Sequence, residues 1–161
     1  MNNRTQTQID AELLLDFFLV FSRAEYALKN AGFLKGDERR VDPDWDAFAA
    51  SIKNQFLKDK SKELEVAVKY ILYNPPMKQV LRQNSLMWEA NTPNAGLTET
   101  EKLLLLVRRV RNNLFHGGKH NVGLFENTER STQLLTSSII VIRECILLSP
   151  GVEAVYKGAV I

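Results

Sequence analysis

The sequence predicts an all-α fold, a bundle of four long helices with one or two short ones. Apolar residues recur at spacings of three and four in several separate stretches, the period of a helix that buries one face. Capping residues precede those stretches, and Pro or Gly closes them. No internal repeat, low-complexity tract or linker divides the chain, so residues 1–161 read as one domain.

After a polar tail at residues 1–8, residues 9–31 read as a long first helix. Leu14, Phe17, Phe18, Phe21, Ala24 and Leu28 lie on its buried side, and Asn30, Ala31 and Gly32 end it. Gly32 to Val41 reads as a charged loop of mixed sign. Asp42 and Pro43 suit an N-cap and first helical position, and Trp45, Phe48, Ala49, Ile52 and Phe56 mark a second amphipathic helix. Asp42, Asp44 and Asp46 superficially suggest a calcium loop, but Ala47 stands where a glycine turn belongs and Lys53 where a carboxylate ligand belongs. Helix N-termini attract acids in any case, and no metal site is expected.

A third helix runs from Ser61 to Tyr73 with Leu64, Ala67, Val68, Ile71 and Leu72 inward, and Asn74, Pro75 and Pro76 stop it. Met77, Val80 and Leu81 suggest a short further helix, and NTPNAG at residues 91–96 a surface connection. Trp45 and Trp88 read as core or interface anchors rather than stacking platforms, since neither has neighbouring arginines. Thr98 with Glu101 forms a capping box that opens the central helix, whose stripe is Leu103, Leu106, Val107, Val110 and Leu114. Gly117 and Gly118 supply its left-handed stop. Residues 128–149 form the last long helix, striped by Leu135, Ser138, Ile139, Ile142, Cys145 and Ile146, and Ser149, Pro150 and Gly151 end it. The extension at residues 150–161 reads either as a short strand or as a segment lying against a neighbour.

At 161 residues, 45% of them hydrophobic and 25% charged, the chain is long enough to bury one core. Its formal charge of +2 does not by itself advertise nucleic-acid binding. The distribution says more, because Lys102 to Lys119 holds five Lys or Arg and no Asp or Glu. That surplus is either a few phosphate contacts or a solvated face beside the helix's C-terminal dipole. Cys145 is the sole cysteine, which excludes an intrachain disulfide and fits a buried, inert thiol in a reducing cytoplasm. Asp10, Glu12 and Asp16 interrupt the N-terminal apolar run, so it lacks the pattern of a signal peptide. No stretch approaches the roughly 20 apolar residues of a membrane span.

On the central helix, Arg109, Asn112 and His116 share a face, while Arg111 sits five residues before His116 and must swing its side chain round to meet it. A histidine ordinarily titrates at about 6.5, so His116 suits taking and giving a proton near neutrality. The run Arg111, Asn112, Asn113, Leu114, Phe115, His116 resembles the R-N-x-x-x-H signature of the HEPN superfamily of helical-bundle ribonucleases and toxins. The segment SRAEYALKNAGF, around Glu25, resembles the first helix of many such proteins.

The resemblance implies a HEPN-like bundle and a metal-independent endoribonuclease, a toxin or defence protein that needs no cofactor and leaves 2′,3′-cyclic phosphate ends. It nominates His116 as general base or acid, Arg111 as phosphate clamp and Asn112 as a polar positioning residue. Arg108, Arg109 and Lys119 become candidates for contacts with the RNA backbone, with solvated charges as the other reading. Glu25 either orients Arg111 or His116, or is an exposed carboxylate paired on its own helix with Lys29. His120 lies outside the motif. The family's motif works at a homodimer cleft, so the resemblance implies RNA and a second copy as partners, with a cognate antitoxin. Leu105 and Phe115 are then expected at the dimer interface. The alternative is a noncatalytic helical module that binds nucleotide, nucleic acid or a partner protein through the same basic face.

Overall fold

The computed structural model describes residues 9–116 and 128–158. Six helices and two hairpins follow in order: α1 (Ala11–Asn30), β1 (Leu34–Asp37), β2 (Arg40–Pro43), α2 (Trp45–Ile52), α3 (Lys62–Tyr73), β3 (Lys78–Arg82), β4 (Ser85–Glu89), α4 (Glu99–His116), α5 (Thr128–Leu147) and α6 (Pro150–Gly158). The fold is therefore mixed, helices with two antiparallel two-stranded sheets, and the all-α bundle expected from the sequence is corrected.

Capping chemistry sets the helix starts. The Asp10 side chain accepts from the Glu12 amide and Ser61 from the Leu64 amide. The capping box at Thr98 and Glu101 forms in both directions: the Thr98 amide donates to Glu101 Oε2 at 2.7 Å, and the Glu101 amide to Thr98 Oγ1 at 3.4 Å. The cap of α2 is Asp44 rather than Asp42, since Asp42 and Pro43 belong to β2. Residues 150–158, expected as a short strand or a segment lying against a neighbour, form α6, with Pro150 as its first residue and Val152 buried. Arg23 fastens it: Nη2 donates to the Tyr156 carbonyl at 2.8 Å, and the guanidinium lies over the Tyr156 ring.

One apolar cluster joins the helices. Phe17, Ala24 and Leu28 of α1, Phe48 and Ile52 of α2, Val68 and Ile71 of α3, Leu103 and Val107 of α4, and Leu135 and Ile142 of α5 are all buried in it. α1 and α3 pack on α5, α6 on α1 and α5, and α2 on α4. Phe18, expected inward, is 45% exposed.

Both hairpins were hidden for physical reasons. The first replaces the expected charged loop. Its strands are exposed or only half-buried along their whole length, so no apolar alternation marks them. The Asp37 carboxylate caps the turn by accepting from the Arg39 and Arg40 amides at 2.8 and 3.1 Å. Gly36 adopts φ 133°, where a Cβ would meet the Arg40 carbonyl oxygen at 2.0 Å. The second replaces the expected short helix. Met77, Val80 and Leu81 fit a helical stripe, but Val80 pairs with Met87 and Leu81 with Leu86. The turn between them places Gln83 at φ 47° and Asn84 at φ 60°, a tight left-handed pair made without glycine.

Candidate functional site

The last three turns of α4 face the root of the second hairpin. Residues spaced three and four apart, Leu105, Arg108, Arg109, Asn112 and His116, come to one side, and β3 closes the other with Lys78 and Gln79. Between them, with Asn113 at the base, lies a cleft of about 450 Å³ whose lining carries no carboxylate. Asn112 and His116 are exposed there, so both side chains are open to a ligand.

The hairpin is stapled to α4 by three polar side chains. Arg109 Nη1 donates to the carbonyls of Pro76 at 3.2 Å and Asn91 at 2.7 Å, and its Nη2 to Asn91 Oδ1 at 2.9 Å. Asn113 Nδ2 donates to the Met77 carbonyl at 2.8 Å. Gln79 Nε2 donates to the carbonyl of His116 itself at 3.4 Å, satisfying an end carbonyl of the helix and tying the strand to the turn that carries the imidazole. Arg109 is half-buried, and burial draws its guanidinium pKa down from the usual value. Its three bonds to oxygen compensate that desolvation, so it braces the cleft wall, where the sequence suggested an RNA contact.

Arg108, on the cleft rim, pairs with Asp46 of α2 at 2.8 Å, and Lys35 of the first hairpin reaches the same carboxylate at 3.5 Å. Arg111 turns toward α1. Its guanidinium carbon lies 5.0 Å from the Phe115 ring centroid and 5.8 Å from that of Phe21, and Nη1 donates to Asn112 Oδ1 at 3.2 Å. The structure thus brings Asn112 and His116 into one cleft and links Arg111 to it through Asn112. Glu25 accepts from the Trp45 indole Nε1 at 3.3 Å, a contact that ties α1 to α2 and that neither reading of Glu25 contained. Trp45 is a buried core side chain, packed against Phe21 and Phe48. Lys119 and His120 lie outside the described residues.

Lys78, Gln79, Asn91 and Asn113 escaped the sequence reading. Asn113 left a signal, a polar side chain three residues after Val110 on the buried stripe, where an amide needs a partner. The other three depend on a hairpin that the apolar pattern disguised. Among the described residues no group of three or more His, Cys, Asp or Glu converges, and no helix is long and apolar enough to cross a membrane. Compared with family models, curated proteins and solved structures, the chain shows no match.

Proposed function

We propose that this chain is an endoribonuclease of the HEPN kind, cleaving RNA without a metal as a homodimer and serving as a toxin or defence protein, with a cognate antitoxin as a further partner. The observation that supports this reading most is the shared cleft: Asn112 and His116 open on one cavity whose lining adds Lys78, Arg108 and Arg109 and no carboxylate. A polyanion suits such a lining, and an imidazole suits proton transfer at its mouth.

In the proposed reaction the His116 imidazole takes the proton from a ribose 2′-hydroxyl, and that oxygen attacks the adjacent phosphorus. The bond from phosphorus to the 5′-oxygen breaks, the 5′-oxygen takes a proton from an acid, and a 2′,3′-cyclic phosphate and a 5′-hydroxyl remain. Asn112 offers an amide donor to the phosphoryl oxygens and Lys78 offers charge to a flanking phosphate, while Arg108 contributes only where a phosphate displaces the Asp46 carboxylate. Among the described residues His116 is the histidine at the cleft, and the reaction calls for two proton transfers. A second copy meeting it across a two-fold axis provides the other transfer.

A second reading, a noncatalytic module that binds nucleic acid or a partner, draws support from Arg111, which packs on Phe21 and Phe115 instead of entering the cleft beside His116. Incubating the purified chain with a mixed-sequence RNA in excess chelator, then analysing product ends, separates the two. Cyclic phosphate ends support the nuclease; intact RNA that is nevertheless retained by the protein supports the module.

A further inference from the structure

We propose that Phe18 and Phe115, with Arg111 beside them, form a platform on which a base of single-stranded RNA stacks next to the His116 cleft. The inference rests on reading that cleft as an RNA site, and adds what the RNA must be: unpaired where it binds.

Phe18 of α1 and Phe115 of α4 are large apolar rings left 45% and 48% exposed, with centroids 5.9 Å apart and planes 50° apart. Each leaves apolar surface in water although its own helix buries others in the core, Phe17 beside Phe18 and Val110 five residues before Phe115. The Arg111 guanidinium lies 5.0 Å from the Phe115 centroid, and it pairs with no carboxylate among the described residues. Two half-exposed rings, tilted to each other, and a guanidinium without a carboxylate partner among the described residues together offer π surface and positive charge, the combination that holds an unstacked base and its phosphate. The platform also adjoins the cleft. Arg111 bonds Asn112, which lines it, and Phe115 immediately precedes His116. The bases of a duplex are stacked on one another, so only an unpaired nucleotide can use the platform. The Arg111 guanidinium beside the rings favours an anionic polymer such as RNA over a second copy of the chain as their occupant.

The test measures binding by the full chain carrying His116→Ala, so that the RNA survives. The probes are a fluorescent oligouridylate of about twelve nucleotides and an RNA duplex of the same length. Phe115→Leu and Phe18→Leu keep the apolar surface and remove the π face; each should weaken oligouridylate binding about tenfold. Phe115→Trp should bind as tightly as the parent or more tightly, which also shows that substitution at this position does not disturb the fold. Duplex binding should be weaker and indifferent to all three changes. Parent and leucine variants binding the single strand alike, or single strand and duplex binding alike, would overturn the proposal. So would leucine variants that shift the sedimentation from dimer to monomer with unchanged affinity, which would assign the rings to a second copy. Cleavage by the wild type alongside ring-independent binding sinks this inference alone. Ring-dependent binding with no cleavage by the wild type sinks the nuclease reading alone.

Discussion

Arg109 decides whether the second hairpin is a rigid wall of the cleft or a loose flap. Replacing it with Met keeps the apolar stem and removes the donors to the Pro76 carbonyl, the Asn91 carbonyl and Asn91 Oδ1. Hydrogen bonds to a charged donor contribute about 1.5–3 kcal/mol each net of solvation, but three that share one guanidinium are not additive. A net loss of about 2–3 kcal/mol in the anchoring of residues 76–91 follows, or roughly a 30- to 160-fold rise in local opening. Native-state hydrogen exchange reads this directly. The β3–β4 amides should exchange that much faster while core amides of α5, around Leu135 and Ile142, stay protected. Arg109→Lys sharpens the test, because it keeps the charge and loses the fork. As a brace, Lys fails nearly as badly as Met; as an RNA contact, it would preserve most of the function. Unchanged hairpin exchange in both variants would refute the reasoning.

Four further outcomes are expected. Gly36→Ala should destabilise the first hairpin by about 2 kcal/mol, because its positive φ and the nearby Arg40 carbonyl leave no room for a Cβ; equal urea midpoints would contradict this. Phe17→Ala should cost about 3–5 kcal/mol in the same unfolding assay, since the ring is wholly buried. Hydrogen bonds from Lys69 and then Lys62 hold the Glu65 carboxyl down from an ordinary 4.5 to about 2. A lowered carboxylate stabilises the fold above pH 4.5 and loses that contribution as pH falls from there through about 2. An NMR titration should therefore show Glu65 titrating well below ordinary glutamates, and Lys69→Met should bring it back toward them. Burial pushes the Cys145 thiol up, so it should resist alkylation until the chain unfolds; rapid labelling of the native protein would place it elsewhere than in the core.

The helices were legible because each announces itself locally. Thr98 and Glu101 name the start of α4, Ser61 that of α3, and the buried stripes of α1, α3, α4 and α5 recur at helical spacing over many residues. The hairpins were not, because neither has a buried face to impose a period of two, and the one apolar run in them fits both periods. The turn at Gln83 and Asn84 lacks the glycine that usually marks such a pair. The site divided along the same line. Asn112 and His116 share a face because four residues make about one helical turn, which is a property of the sequence. That Arg109 is spent on Pro76 and Asn91, and Arg108 on Asp46, depends on elements 18 to 62 residues away and could not be read from the motif. The extension at residues 150–158 was missed because Pro150 reads equally well as the stop of one helix and the first residue of the next.

The most direct test of the ribonuclease account compares wild type with His116→Ala, prepared side by side, on single-stranded RNA in excess chelator. The account predicts cleavage by the wild type alone, leaving 2′,3′-cyclic phosphate ends, with the variant matching it in thermal unfolding and sedimentation. Equal cleavage by the two proteins, or silence from both across several RNAs, would contradict it.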